Sequence, residues 1–110
     1  MNIVIAGAGA VGTHLAKMLS RQEHNILLLD SDQEKIEALE SQLDIMSIVG
    51  SCTSIGALKD AEVGKCDLYI AVNPIEDQNI NSAILMATSR NWSAPYISPI
   101  LARVWFRMRA

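Results

Sequence analysis

The residues best equipped for chemistry are three glycines within Gly7-Ala8-Gly9-Ala10-Val11-Gly12, followed eighteen residues later by Asp30. This glycine spacing suits a loop that holds a pyrophosphate. Gly7 permits a tight turn, Gly9 lets the backbone approach an anion with no Cβ between, and Gly12 lets the next helix pack close. Ala8, Ala10 and Val11 carry backbone amides into the same loop, where the helix dipole also favours negative charge. Asp30 is an acceptor for ribose hydroxyls. Its carboxylate repels a 2′-phosphate and no Arg follows it directly, which disfavours NADP.

Such a loop works only between a buried strand and a helix, and the flanking sequence supplies both. Ile3-Val4-Ile5-Ala6 is a continuous apolar run of the kind found in a central parallel strand. Val11, Leu15, Met18 and Leu19 recur at helical spacing, which predicts a helix ending near Arg21 to His24. A second strand spans Ile26 to Leu29 and stops at Asp30. Ser31 and Glu34 form a capping box for a second helix, whose apolar face is Ile36, Leu39 and Leu43. Ile45 to Val49 predicts a third strand, Ser54 to Ala61 a short helix, Asp67 to Val72 a fourth strand and Glu76 to Thr88 a fourth helix. Met46 and Met86 read as core, and His14 as facing solvent.

Strands alternating with helices over short connections predict an α/β fold: a Rossmann-like, doubly wound, mostly parallel sheet with helices on both faces. Ligands of such sheets bind at the carboxyl ends of the strands. That places Gly50, Ser51, Cys52 and Thr53 beside an adenine, and Asn73 and Pro74 beside a ribose or phosphate. Plain turn roles are equally open to Ser51 and Thr53.

The 110 residues, half of them apolar, form one domain, with residues 1–90 as its core and 91–110 as an atypical tail. Residues 1–89 carry five basic and twelve acidic side chains, whereas 90–110 carry four arginines and no acid. An acidic body argues against a nucleic-acid surface. Without a run of about 18 apolar residues, direct membrane insertion is not expected. Cys52 and Cys66 match no zinc spacing and read as reduced structural thiols. The tail carries Ile97, Ile100, Leu101, Val104, Trp105, Phe106 and Met108. Ile100 to Val104 offers a fifth strand, and Trp105, Phe106 and Met108 offer a homodimer surface.

With these residues in view, the chain resembles the nucleotide-binding (RCK or KTN) domain of the TrkA family, regulatory subunits of bacterial potassium transporters and channels. The resemblance lies in residues 1–12 with Leu15-Ala16, in Leu29-Asp30-Ser31-Asp32, in Ile48-Val49-Gly50, and in Ala71-Val72-Asn73 running on to Glu76-Asp77-Gln78-Asn79. Where Asn73 and Pro74 stand, the family often has Thr and a small polar residue. Ala102-Arg103 parallels an Ala-Arg pair that approaches the ligand in the family. The resemblance implies a non-catalytic, cytoplasmic regulator, peripheral to the inner face of the membrane, that assembles as a homo-oligomer and acts on a membrane potassium transporter subunit. Its implied ligand is NAD or NADH, with ATP or ADP as the alternative. Ala10 stands where ATP-preferring members can carry an Arg, which favours NAD(H). The competing reading is the cofactor-binding portion of an NAD-dependent dehydrogenase. It lacks a His, Lys or Tyr near the expected nicotinamide position.

Overall fold

An apolar run leaves its backbone amides and carbonyls to be paired as well as its side chains to be buried, and a sheet does both. In the computed structural model, which describes residues 2–61, 66–73, 81, 96–97 and 104–107, these runs form one six-stranded sheet. Its strands are β1 (Asn2–Ala6), β2 (Asn25–Asp30), β3 (Met46–Val49), β4 (Leu68–Ala71), β5 (Tyr96–Ile97) and β6 (Val104–Arg107). The order is β3-β2-β1-β4-β6-β5. The first four are mutually parallel, as the alternation with helices requires. Helices α1 (Ala10–Ser20), α2 (Gln33–Glu40) and α3 (Ile55–Asp60) make the crossovers.

Alternating residues of each central strand feed two cores, one on each face of the sheet. Ile3, Ile5, Ile26 and Leu28 pack with Ala16 of α1 and with Ile36 and Leu39 of α2. Val4, Ala6, Leu29 and Tyr69 pack on the other face with Leu58, Cys52 and Cys66. The sheet is thus covered on both sides and doubly wound, the expected class.

Several local expectations change. Helix α2 is capped by Asp32 rather than Ser31: the Asp32 carboxylate accepts from the amides of Glu34 and Lys35. The cap shifts because the Asp32 amide donates to the Asp30 carboxylate, which draws Ser31 into the turn. Along α1 the buried residues are Gly12 and Ala16, with Leu15 and Leu19 beside them, while Val11 and Met18 are exposed. Small residues face the sheet there because the helix lies close to it. Met46 is not core but 63% exposed, since it opens β3, the edge strand with a neighbour on one side only. Met86 lies outside the described residues, as does the expected fourth helix apart from Asn81, which is helical.

The tail differs most. Its described inner strand is Val104–Arg107, which runs antiparallel to both β4 and β5, while residues 100–103 of the expected strand lie outside the described residues. Residues 98–103 are too few for a parallel crossover, which needs a dozen or more, so β5 and β6 can pair only in opposite directions. Trp105 and Phe106 fall in this strand, opposite Ile70 and Tyr69. Trp105 is also paired with Tyr96 of β5, while Met108 lies outside the described residues.

Cys52 and Cys66 are buried and not joined in a disulfide. Burial, with the Asp67 carboxylate as a second cause, pushes the Cys66 thiol from about 9 up to about 12. A folded form that holds this proton more tightly is stabilised fully below about pH 9, where the unfolded thiol begins to ionise, and loses that stabilisation as pH rises toward 12. Urea melts of the parent should therefore weaken more steeply between pH 9 and 11 than those of Cys66→Ala. Parallel slopes would show that the thiol does not contribute.

Candidate functional site

The parallel order places β2 and β4 on opposite sides of β1, so the chain leaves β1 and returns to it in opposite directions around the loop at residues 7–12. Such a switch point opens a crevice above the strand ends. Gly7 turns out of β1 at φ +117°, and its amide donates to the Leu29 carbonyl at 2.8 Å. A Cβ at this position would meet the Asn73 backbone nitrogen at 2.8 Å. The ends of β1 and β4 are therefore in close contact, and only glycine fits both the angle and the space. Gly12 meets a tighter limit. Its Cβ would lie 1.7 Å from the Gly7 carbonyl oxygen, so this glycine lets the loop fold back on the first turn of α1.

Gly9 is different. As N-cap of α1 it has φ −76° and ψ −163°, extended backbone open to any residue. It makes no side-chain cap, and no acid occupies the first turn. The opening amides of an 11-residue helix are thus left to an outside acceptor, the arrangement that attracts anions.

Asp30, only 8% exposed, stands at the end of β2 beside this loop. One carboxylate oxygen accepts from the Ala8 amide at 2.7 Å and the other from the Asp32 amide at 2.8 Å. A carboxylate has about four acceptor positions, so two remain for hydroxyl donors. Thr13 closes the loop further, its hydroxyl donating to the Ala8 carbonyl at 3.1 Å. Asp30 is consequently part of the scaffold as well as a candidate ligand contact, a double role that its type and position alone do not reveal.

The remaining nominees divide. The Gly50 amide donates to the Asp30 carbonyl at 2.8 Å, which brings the end of β3 to the same crevice. Ser51 and Thr53 share a hydroxyl contact of 2.7 Å, and the Thr53 amide donates to the Ser51 hydroxyl, the turn role left open for them. Cys52 follows its reading as a structural thiol. Its side chain is buried in the core with Leu29 and Leu58. Asn73 lies against Gly7, while Pro74 and Arg103 lie outside the described residues.

Sequence reasoning passed over one feature of the site. A cavity of about 500 Å³ opens beside the loop, lined by Ala8, Gly9, Thr13 and His14 together with Lys17 of α1 and Lys35 of α2. The available signal was the placement of Thr13 and Lys17 four residues apart, on one helix face.

A tight glycine loop feeding an uncapped helix, with a buried acid at the end of the neighbouring strand, defines a Rossmann-type domain. Comparison with known proteins narrows this class. The TrkA-N domain profile matches residues 3–104, and the chain belongs to that family. It is 37% identical over 84 residues to a Trk system potassium uptake protein TrkA homolog of Archaeoglobus fulgidus, covering 76% of this chain and 19% of that protein. Against the homolog from Methanothermobacter thermautotrophicus, identity is 32% over 104 residues, 94% of this chain and 45% of the relative. The chain thus spans less than half the length of these relatives. Among solved structures, the Shewanella denitrificans Kef CTD in AMP bound form superposes with a TM-score of 0.69 at 21% identity, over 81% of this chain and 53% of that one, which supports the fold.

Removing the Asp30 carboxylate should cost folding stability even without ligand. Asp30→Ala leaves the buried Ala8 amide without its acceptor, a loss of about 2–3 kcal/mol. Asp30→Asn should fall between, since one amide oxygen can replace only one of the two acceptors. Urea denaturation of the three proteins checks this, and equal midpoints would remove Asp30 from the scaffold.

Proposed function

We propose that this chain is a nucleotide-binding regulatory domain of a potassium uptake system, and that its ligand is NAD or NADH. The observation that carries the reading is the pairing of an uncapped, acid-free α1 N-terminus with Asp30, which keeps two acceptor positions for ribose hydroxyls, in a chain of the TrkA-N family. The pyrophosphate would lie over Gly9, Ala10 and Val11, and Asp30 would take the adenosine ribose. Ala10 presents no side chain to a third phosphate, which favours a dinucleotide over ATP or ADP. Asn73, Pro74 and Arg103 are assigned to the ribose and phosphate side of the crevice, and the backbone of residues 51–52 to the adenine.

In this reading the domain is not an enzyme. Ligand binding acts by favouring one of at least two assembly states, and so works on a membrane potassium transporter subunit from the cytoplasmic side. Among the described residues no helix is long and apolar enough to cross a membrane, so contact with the membrane is assigned to the partner. A homo-oligomer supplies the interface at which the two states differ.

Calorimetric titration against NADH, NAD, ATP and ADP should show the dinucleotides binding more tightly than ATP. Gly9→Val should keep a cooperative melt, because its backbone angles suit valine, yet lose the ligand-induced rise in Tm. Stabilisation of that variant by NADH would place the pyrophosphate elsewhere. NAD reduction on addition of a hydroxy-acid panel, or NADH oxidation on addition of a keto-acid panel, would instead favour the dehydrogenase reading.

Sedimentation with and without NADH checks the assembly step. The expected result is a dimer or larger species whose distribution changes with ligand. A monomer indifferent to NADH would overturn the regulatory mechanism while leaving nucleotide binding intact.

A further inference from the structure

The nucleotide crevice lies where the parallel strands end. At the opposite end of the sheet, where β1, β2 and β3 begin, two hollows meet at Met46, which lines both and is exposed. On one side of Met46 is a cavity of about 160 Å³, lined in part by Val4, Leu27 and Cys66. Asn2 and Asn25 bring only uncharged amides to that wall, and their side chains are bonded to each other at 2.9 Å. On the other side is a cavity of about 360 Å³ between the α1–β2 turn and the α2–β3 turn, where Glu23, His24 and Asp44 stand.

The two hollows differ in chemistry. The first offers apolar contact, and the second offers the exposed carboxylates of Glu23 and Asp44. Neither is lined by a Lys or an Arg; Arg21, the C-cap of α1, stands close in sequence but outside both walls. Glu23 has φ 61°, a left-handed conformation that glycine adopts more readily, so the turn carries this carboxylate at a conformational cost. Met46 between the hollows is a flexible thioether that adapts to apolar groups of varied shape. The combination fits a segment that brings an apolar side chain and cations together. A second copy turned onto the same face across a two-fold axis would instead set acids against acids.

We propose that this end of the sheet docks a Lys/Arg-rich cytoplasmic loop of the membrane partner. An apolar side chain of the loop enters the hollow beside Leu27 and Met46, and its cations meet Glu23 and Asp44. Cytoplasmic loops of membrane proteins carry an excess of Lys and Arg, which is the chemistry complementary to this face. The nucleotide and the partner would then sit at opposite ends of β2, which runs from Asn25 beside one hollow to Asp30 in the crevice. The choice of a membrane partner rests on the proposed regulatory role; the capacity to bind a basic, apolar segment does not.

Fluorescence anisotropy of the full chain with a labelled peptide of alternating lysine and leucine tests the inference, with an alternating glutamate and leucine peptide as control. The parent should bind the first peptide and not the second. E23Q/D44N should weaken binding about fivefold at low salt, and added salt should narrow that gap, as for exposed charge pairs. Met46→Ser should weaken binding about threefold through the lost apolar contact. All three positions are exposed, so melting temperatures should match the parent's. Equal peptide affinity in the parent and E23Q/D44N would overturn the docking face. A changed sedimentation profile in either variant would assign the face to a second copy, and would overturn the basic loop as its occupant. NADH is titrated in parallel, and neither variant should alter its affinity. A chain that binds NADH but not the peptide retires the docking face alone. One that binds the peptide through these residues but not NADH retires the nucleotide reading alone.

Discussion

Four hydrogen bonds converge on the last two residues of β2. The Leu29 carbonyl takes the Gly7 amide, the Asp30 carbonyl takes the Gly50 amide, and the Asp30 carboxylate takes the amides of Ala8 and Asp32. Through them one strand end holds the glycine loop, the entry to α2 and the exit from β3. The crevice therefore has its shape before any ligand arrives. Association with a preorganised loop avoids the ordering entropy that a mobile one would lose, so more of the interaction energy is left for affinity.

This junction depends on missing side chains as much as on hydrogen bonds. The Gly7 carbonyl occupies the space where a Cβ of Gly12 would lie, and the Asn73 backbone occupies that of Gly7. The loop can fold onto α1 and against β4 only because both positions are bare. Gly9 is under neither constraint, since its angles are ordinary. The first and third glycines of the loop thus answer to the chain itself, and the middle one to what the chain would hold.

The doubly wound sheet separates the duties of its two faces. The α1–α2 face carries the helix start with its cavity and the core around Ile5 and Leu28. The α3 face carries the buried thiols and the core around Leu29 and Tyr69. Because β2 contributes Leu28 to one core, Leu29 to the other and Asp30 to the crevice, displacement of that strand end would be felt on both faces. A domain that transmits the state of its ligand to a partner needs such a shared element.

The sequence by itself determined the parallel core and the place of the crevice. Apolar runs at Ile3–Ala6 and Ile26–Leu29 are intelligible only as buried strands, and glycine spacing with a following acid is a local pattern that survives without knowledge of contacts. Edge and tail were not legible in the same way. Met46 carries the residue type of a core position but opens an edge strand, and edge status is a property of sheet order. The antiparallel β6 at Val104–Arg107 depends on pairing with β4, far away in the chain, so periodicity within 100–108 could not set its boundaries. The core placement of Cys52 and the shared cavity of Lys17 and Lys35 were likewise decided by tertiary structure. Each arises where segments distant in sequence border the same volume, and only the folded chain brings them together.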